Sequence, residues 1–347
     1  MKATHLNSWI VLCLSVTALP AYGATCIEFY PAEKVGEFES GEISESSGLA
    51  ISRAHPDILW THNDSGDTAR FFASGLSGQA RGIINLSNGS AQDWEAMAIG
   101  PCAQSTCLFI GDVGDNAAER SKITFLRLNE PTPTGAGTSQ IVAAQELDAV
   151  YPDEPQNSEA IAVDPLTGDI LVIEKSGAAK ARAYRIPAAA WASRSDEPTT
   201  MTKLEDIDFA TDTLLAGQVT GIDIAPSGSE LYARTYTAGF HVPLRRNANQ
   251  EIIGFEAARR ADAYDGEQCE AVAYDGTGLE LWFTCEDNND PIAMASCRVV
   301  RDDETGETTT IEQAGCGCNT SQSPLLFVLV VMTWLYRFGS RRAPSES

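Results

Sequence analysis

The segment CEAVAYD (269–275) belongs to a pattern that occurs five times in this chain of 347 residues. Each copy has a polar residue, then a small residue, then apolar residues at alternate positions, which is typical of a half-buried strand. The other copies are SSGLAIS (46–52), WEAMAIG (94–100), SEAIAVD (158–164) and VTGIDIA (219–225), with start-to-start spacings of 48, 64, 61 and 50 residues. Self-similarity at spacings of this length indicates a repeat architecture.

Each copy is followed by a second strand-like segment after a short turn rich in Asp, Pro and Gly. A third segment follows in most units, and a fourth is weaker. Four short antiparallel strands per unit, repeated in tandem, predict an all-β fold, a β-propeller. Five blades are favoured over six. The segment CIEFYPAEKVGEFES (26–40) is expected to supply an N-terminal strand that closes the last blade.

The two chain ends predict export. Residues 1–24 have a positive start at Lys2, an apolar run over 9–19 and small residues near Gly23, the pattern of a signal peptide. The body, residues 25–314, is the predicted propeller domain. Residues 315–347 form a third segment, in which a short apolar, transmembrane-like stretch (324–336) precedes three arginines. The positive-inside rule places such a basic end in the cytoplasm.

The last segment resembles a myxobacterial-type C-terminal sorting signal. The resemblance rests on three parts in order: the Cys-rich GCGCNTSQS (315–323), the apolar stretch PLLFVLVVMTWLY (324–336) and the basic RFGSRR (337–342). It implies delivery to the cell surface or outer envelope, with Cys316 or Cys318 as the processing or anchoring position. An ordinary tail anchor is the alternative, and both place the body outside the cytoplasm, attached to a membrane through its C-terminus.

Charge excludes one class of partner. The whole chain has 24 Lys and Arg against 48 Asp and Glu, and residues 25–314 alone have 20 against 47, a net charge of −27. A chain this acidic repels phosphate backbones, so nucleic acid is not an expected partner.

Six cysteines lie in the body, and an oxidising compartment makes disulfides the expectation. The pattern PCAQSTC predicts a Cys102–Cys107 disulfide across a short turn. The remaining four can pair in three ways, and the sequence does not choose among them. They are Cys26, Cys269, Cys285 and Cys297.

The innermost strand of each blade lines the channel of a propeller. Aligning the five copies places a polar residue at one equivalent position: Ser47, Glu95, Glu159, Thr220 and Glu270. Two residues earlier, every copy has a hydrogen-bonding side chain: Glu45, Asp93, Asn157, Gln218 and Gln268. The ends of the second strands add further polar groups: His62, Asn63, Asp64, Asp67, Asp112, Asp115, Asn116, Glu174, Lys175, Arg234, Glu286 and Asp287.

Three glutamates in a narrow ring need compensation. A hard cation such as Ca²⁺ takes six to eight oxygen ligands, which suits this inventory. Alternatively, one glutamate keeps a proton and acts as general acid or base, for which Glu159 and Glu95 are the candidates if the protein is an enzyme. A structural role, with the acids bonded to neighbouring blades and water in the channel, is the third interpretation. Candidate ligand-binding residues at the channel mouth are His62, Asp64, Asp67, Asp115 and Asn116.

Other chemistries have little support. No GxSxG elbow surrounds a serine, and no phosphate-binding GxxxxGK[ST] or GxGxxG occurs. The body also lacks CxxC or paired-His spacing for zinc.

Aromatic residues recur at one blade position and are expected in the core: Trp60, Phe109, Tyr232 and Trp282.

The run SGLAIS…ILWTHNDSGD…FFASGLSGQ…DWEAMAIG…LFIGDVGDN resembles the SdiA-regulated propeller family, which has no settled reaction. The acidic channel is also similar to that of calcium-dependent lactonase and phytase-esterase-like propellers. That second resemblance implies a divalent ion at the channel mouth, held here by Glu95, Glu159 and Glu270 of the ring and by Asp112. Ser47 and Thr220 stand where lactonase-type relatives have asparagines.

Taken together, the patterns favour an exported, surface-anchored propeller that binds a small molecule or a surface protein and has a cation site, with Ca²⁺ as the cofactor. The alternative is a metal-dependent hydrolase of esters or lactones. A purely structural surface module with an inert channel is the third class. The substrate or ligand and the oligomeric state do not follow from the sequence.

Overall fold

The computed structural model describes residues 25–311, except 104, 193–196, 210–216, 237, 265–268, 287–290 and 303–307. The predicted signal peptide and the C-terminal segment 315–347 therefore lie outside the described residues, as do Gln268 and Asp287. Within the described part of the chain, no helix is long and apolar enough to cross a membrane.

The regular secondary structure of the described chain consists almost entirely of strands. Its first thirteen strands, in chain order, are β1 (Thr25–Phe29), β2 (Glu33–Glu37), β3 (Ser46–Ile51), β4 (Ile58–Asn63), β5 (Arg70–Gly75), β6 (Ala80–Leu86), β7 (Trp94–Cys102), β8 (Ser105–Asp112), β9 (Ile123–Asn129), β10 (Ser139–Val142), β11 (Gln145–Val150), β12 (Ser158–Val163) and β13 (Ile170–Glu174). The next ten are β14 (Lys180–Ala181), β15 (Ala183–Ile186), β16 (Thr199–Thr200), β17 (Thr202–Lys203), β18 (Ile207–Asp208), β19 (Val219–Ile224), β20 (Glu230–Thr235), β21 (Gly239–Arg246), β22 (Ile252–Phe255) and β23 (Arg259–Arg260). The last four are β24 (Cys269–Tyr274), β25 (Glu280–Cys285), β26 (Pro291–Asp302) and β27 (Thr308–Ile311). One 3₁₀ turn, Ala188–Ala192, lies between β15 and β16.

Among the described residues the strands form five mainly antiparallel sheets, which are the five predicted blades, and one small two-stranded sheet of β14 and β18. From the inside outwards, the blades are β3-β4-β5-β6, β7-β8-β9-β11, β12-β13-β15-β17, β19-β20-β21-β22 and β24-β25-β26-β1. Short strands add to the periphery, such as β10, which pairs in parallel with β6, and β16, which pairs in parallel with β11. The innermost strands β3, β7, β12, β19 and β24 each contact the next, and β24 contacts β3, so the blades close into a ring.

The N-terminal strands close the last blade, as the sequence predicts. Both β1 and β2 pair antiparallel with β26, at opposite ends of that long strand. The Cys26–Cys297 disulfide joins β1 to β26 covalently. Closure thus links the two ends of the described propeller.

The hydrophobic core is divided among the blade interfaces. Five clusters of buried apolar side chains are found in the described chain, and each is shared by two adjacent blades. The aromatic residues that recur at one blade position lie in these clusters and are at most 4% exposed, which confirms the predicted core role: Trp60, Phe109, Tyr232 and Trp282.

Two further disulfides complete the set. The predicted Cys102–Cys107 bridge is confirmed and clamps the turn between β7 and β8. Cys269 and Cys285 are directly opposite each other on β24 and β25 and form the third bridge. The structure therefore resolves the pairing that the sequence leaves open.

Candidate functional site

A β-bulge occurs at the same place in every blade, at the start of the innermost strand. In each case the register between the first and second strands skips one residue, so that residue has no partner on the second strand. The skipped residues are the five polar residues aligned from the sequence: Ser47, Glu95, Glu159, Thr220 and Glu270. Bulges re-aim side chains and are frequent beside functional sites. Here five bulges set five polar residues at equivalent places around the channel.

The small residue after each ring position has a packing role. A Cβ on Gly221 would overlap the carbonyl oxygen of Glu270 on the next inner strand. The inner strands therefore approach one another closely, and the space between them is narrow. The cavity between the inner strands, lined by Ser47, Glu159 and Thr220 among others, has a volume of about 10 Å³ for the centre of a water molecule. This is room for about one water molecule.

Three of the ring carboxylates come together. Glu95, Glu159 and Glu270 are each no more than 5% exposed, and they offer oxygens that all lie within 4.8 Å of one another. We call these three residues the inner triad. Glu159 Oε2 is buried and has no hydrogen-bond partner among the described residues. An unpartnered buried carboxylate oxygen is costly, so this atom marks a place where a cation or a proton is needed.

A second group of carboxylates lies nearer to solvent. Asp64 and Asp93 are partly exposed and, with Glu95, offer oxygens within the same 4.8 Å limit. We call Asp64, Asp93 and Glu95 the outer triad. Gly114 lies against it, because a Cβ at this position would overlap the carboxylates of both Asp93 and Glu95. Glu95 belongs to both triads and is the residue that joins them.

A second layer covers the ring. The residue directly after the last paired position of each second strand is Asp64, Val113, Lys175, Tyr236 or Glu286. Four of these five side chains are polar. The sequence alignment identifies three of the four but misses Tyr236, although Tyr236 follows the start of its repeat by 17 residues, as Lys175 and Glu286 do.

Lys175 is the positive charge of this layer. Its ammonium forms an ion pair with Glu159 Oε1, donates a hydrogen bond of 2.7 Å to the hydroxyl oxygen of Tyr236 and lies 4.7 Å from the centre of the Tyr236 ring. Tyr236 and Glu286 are in turn neighbours of Glu270, and their side chains oppose the rise of its pKa. A continuous polar chain thus runs across three blades.

Burial and mutual repulsion raise the pKa values of the ring acids. Burial, followed by the charges of Glu159 and Asp64, raises the pKa of Glu95 to about 10. Burial also raises the pKa of Glu159, but Lys175 opposes it and the result is about 7. Burial and the neighbouring Glu270 raise the pKa of Glu286 to about 9, and burial raises that of Glu270. Without a cation, the ring therefore holds protons at neutral pH.

Asp112, the fourth residue of the expected ligand set, bonds to residues outside the ring. Its carboxylate forms an ion pair of 2.8 Å with Arg120 and accepts hydrogen bonds from the backbone N–H groups of Gln92 and Asp93. It is fully buried and belongs to neither triad. Its contacts hold the loop that carries Asp93, so Asp112 positions a member of the outer triad.

The candidate residues of WTHNDSGD (60–67) have different roles. His62 is buried, its Nδ1 donates to the carbonyl oxygen of Asn63 at 2.8 Å, and burial lowers its pKa, so it is neutral at pH 7. Asp67 accepts from Asn63 Nδ2 at 2.8 Å and pairs with Arg70 at 2.9 Å. These residues shape the strand-end turn. Asp64 alone of the three candidates joins a carboxylate cluster.

The second turn, which contains Asp115 and Asn116, is also held by internal bonds. Asp115 accepts hydrogen bonds from the backbone N–H groups of Glu119 and Arg120 at 3.0 and 2.7 Å. Asn116 is exposed, and its Oδ1 accepts from Asn157 Nδ2 at 3.1 Å. Asn157 also accepts from the Asp115 N–H at 2.8 Å and so ties the second blade to the third.

Comparisons with known proteins provide little beyond the general fold. No family model matches this chain, and no curated protein is similar to it. Solved structures with a similar fold include the PQQ-bound aldose sugar dehydrogenase of Streptomyces coelicolor, with 12% identity, coverage of 80% of this chain and 99% of that chain, and a TM-score of 0.41. A 6-phosphogluconolactonase-like protein of Bacteroides fragilis NCTC 9343 has 13% identity, coverage of 82% and 94%, and a TM-score of 0.39.

An auxiliary nutrient binding protein of Bacteroides thetaiotaomicron VPI-5482 has 10% identity and a TM-score of 0.40. The alignment covers 82% of this chain but only 65% of that one. At these identities and TM-scores, the similarities carry no inference about activity or ligand. The function therefore has to be argued from the site itself.

Proposed function

We propose that this protein is an exported, surface-anchored β-propeller that binds a divalent cation at the mouth of its channel and uses that end of the channel to bind a ligand or a partner. The observation that carries the proposal is the ring of buried carboxylates Glu95, Glu159 and Glu270, with oxygens within 4.8 Å of one another. Its independent support is the buried, unpartnered Oε2 of Glu159.

The donor set favours a hard cation. Both triads consist of carboxylate oxygens, with the Ser47 and Thr220 hydroxyls on the same ring, and Ca²⁺ prefers such oxygen ligands. Thr220 Oγ1 is buried without a hydrogen-bond partner among the described residues. The Ser47 hydroxyl, by contrast, donates to the carbonyl oxygen of Glu95 at 3.0 Å. Bound Ca²⁺ would replace the protons that the ring otherwise holds at neutral pH.

Export is supported by the three disulfides of the body, because structural disulfides persist in oxidising compartments. The disulfide that closes the propeller spans 271 residues. A chain with this design is suited to the cell surface, where the signal and sorting patterns of the two chain ends would deliver it.

The test is the thermal unfolding of the full chain with Ca²⁺ and with a chelator. A ligand that binds only the folded state raises its stability by mass action, so Ca²⁺ should raise the melting temperature. Glu95→Gln and Glu159→Gln should each abolish that rise, while Glu119→Gln, at an exposed position outside the ring, should retain it. If Ca²⁺, Mg²⁺ and Mn²⁺ leave the melting temperature unchanged, the cation site does not exist.

A metal-assisted hydrolase of esters or lactones is the second candidate, and one observation favours it. The pKa of Glu159 is raised to about 7, the range in which a carboxyl can both take up and release a proton at neutral pH. A bound cation would supply polarisation of the carbonyl. Glu159 would move the proton, and the Lys175 ammonium would hold the carboxylate in place.

A panel of esters and lactones, assayed with Ca²⁺ present, separates the two candidates. Turnover that is lost in Glu159→Gln but kept in Glu119→Gln would establish the hydrolase. Absence of turnover across the panel, in a protein that does bind Ca²⁺, leaves the binding function.

A further inference from the structure

A cavity lies between the fourth and fifth blades, away from the carboxylate ring. It has a volume of about 210 Å³ for the centre of a water molecule. Its walls come from the turns 225–229 and 275–279, which follow the inner strands of the two blades, and from β1. The ring residues are at the start of the inner strands, so the cavity belongs to the opposite face of the propeller and shares no lining residue with the ring.

The wall that β1 contributes is aromatic and is tied to both blades. Cys26 lines the cavity, and its disulfide with Cys297 joins β1 to β26. Phe29, on the same strand, stacks on the His241 ring of the fourth blade with 5.7 Å between the ring centres. Its ring centre is also 6.1 Å from that of Tyr274 in the fifth blade. Covalent closure of the propeller therefore also fixes this wall.

The hydroxyl of Tyr274, another lining residue, lacks a partner. Tyr274 is 1% exposed, and its hydroxyl has no hydrogen-bond partner among the described residues. Burial, followed by the charge of Glu230, raises the pKa of Tyr274 well above its usual value. Glu230 lines the same cavity. A buried hydroxyl without a partner is costly, so this atom marks a place where a molecule in the cavity is needed.

Glu230 supplies the negative charge of the cavity. Burial raises its pKa, but His241 and Arg259 oppose burial and lower the pKa overall, so the carboxylate is ionised at pH 7. Its oxygens lie 3.2 Å from His241 Nδ1 and 3.5 Å from the guanidinium of Arg259, a side chain that is 68% exposed. Both distances exceed the about 2.7–2.9 Å of a charge-assisted hydrogen bond. The carboxylate can therefore accept a closer donor.

We propose that this cavity binds a small organic ammonium ion. Its N–H groups donate to the Glu230 carboxylate and to the hydroxyl oxygen of Tyr274, and its apolar body lies against Phe29. Aromatic rings attract ammonium groups, and the net charge of −27 over residues 25–314 draws cations from solution. The inference goes beyond the proposed function, because it concerns a different site and a different ligand.

The test is a titration of the full chain with n-butylammonium chloride, followed by saturation-transfer difference NMR of the ligand. A ligand of this size should bind with a dissociation constant of about 1 mM. Tyr274→Phe keeps the ring but removes the hydroxyl, so it should weaken binding about fivefold, the factor that corresponds to one hydrogen bond. Glu230→Gln removes the charge and should weaken binding about 20-fold, as expected for a hydrogen bond to a charged group.

Two matched controls should bind n-butylammonium as wild type does. Tyr184→Phe changes a buried tyrosine of the third blade whose hydroxyl bonds to Asp153 at 3.3 Å, and Glu119→Gln changes an exposed acid. Tetramethylammonium has no N–H group and butyrate is an anion, so both should bind more weakly than n-butylammonium.

The inference is overturned if n-butylammonium shows no saturable binding, or if tetramethylammonium or butyrate binds equally well. Wild-type affinity in both Tyr274→Phe and Glu230→Gln would also overturn it, because the amine would then bind elsewhere. If Glu230→Gln does not fold, Tyr274→Phe decides the matter. Loss of an unpartnered hydroxyl should leave the melting temperature of the free protein unchanged or raise it, so weaker binding in this variant cannot come from unfolding.

Discussion

Replacing Glu95 by Gln should stabilise the fold at neutral pH when no divalent cation is present. Glu95 has a pKa of about 10 in the folded protein and 4.5 in the unfolded chain. Between these values the folded protein keeps a proton on Glu95, while the unfolded chain loses it. Each pH unit above 4.5 therefore favours unfolding by about 1.4 kcal/mol. The stability is fully present below pH 4.5 and declines as the pH rises towards 10.

At pH 7 the penalty amounts to about 3 kcal/mol, and it depends only on the unfolded pKa as long as the folded value stays above 7. Gln is close to isosteric with the protonated carboxyl and does not ionise, so Glu95→Gln removes the penalty. The expected gain in the free energy of unfolding is about 3 kcal/mol at pH 7 and close to zero at pH 4.5.

The assay is urea unfolding of both proteins at pH 5, 6, 7 and 8 in EDTA. The matched control is Glu119→Gln, at an exposed position, which should follow wild type within a few tenths of a kcal/mol at every pH. Saturating Ca²⁺ should reduce or reverse the advantage of Glu95→Gln, because only wild type then gains binding energy. Equal stability of Glu95→Gln and wild type at all four pH values would show that the ring does not crowd its carboxylates as the structure indicates.

Three further predictions follow from the same geometry. Gly114→Ala places a Cβ where the carboxylates of Asp93 and Glu95 lie. The Ca²⁺ affinity measured by calorimetry should therefore fall at least tenfold. An undiminished affinity would mean that the ion binds elsewhere. The Ca²⁺ affinity of the wild type should rise up to tenfold per pH unit between pH 6 and 9, because the ion must displace protons from the ring. Calorimetric titrations at three pH values measure this dependence. An affinity that does not change with pH would show that the carboxylates are already ionised. Replacing the Cys26–Cys297 pair by Ala should lower the free energy of unfolding by about 5 kcal/mol, against about 2 kcal/mol for the Cys102–Cys107 pair. The reason is that the loop-closure entropy grows with the sequence separation of the two cysteines, which is 271 residues in the first pair and 5 in the second. Similar losses for the two pairs in urea unfolding would contradict the closure argument.

Much of the architecture is readable from the sequence, because each blade repeats the same alternation of apolar and polar residues. That periodicity indicates the five units, the closing N-terminal strand and the equivalent position of Glu95, Glu159 and Glu270. The Cys102–Cys107 bridge is also readable, since a short loop allows few partners. In contrast, the pairing of Cys26 with Cys297 depends on which strands meet when the ring closes, and that is a long-range property.

The chemistry of the channel mouth is decided by tertiary structure. Sequence alignment identifies the ring positions, but only the register of the sheets reveals that each one is the extra residue of a β-bulge. Composition cannot distinguish Asp112, which is neutralised by Arg120 inside its own blade, from Asp64, which is free to face the ring. Nor can it place the Lys175 ammonium between Glu159 and Tyr236, residues that lie 77 positions apart in the chain. The physical reason is that charges act over a few ångströms of space, and the fold, rather than the order of the residues, determines which charges are within that distance.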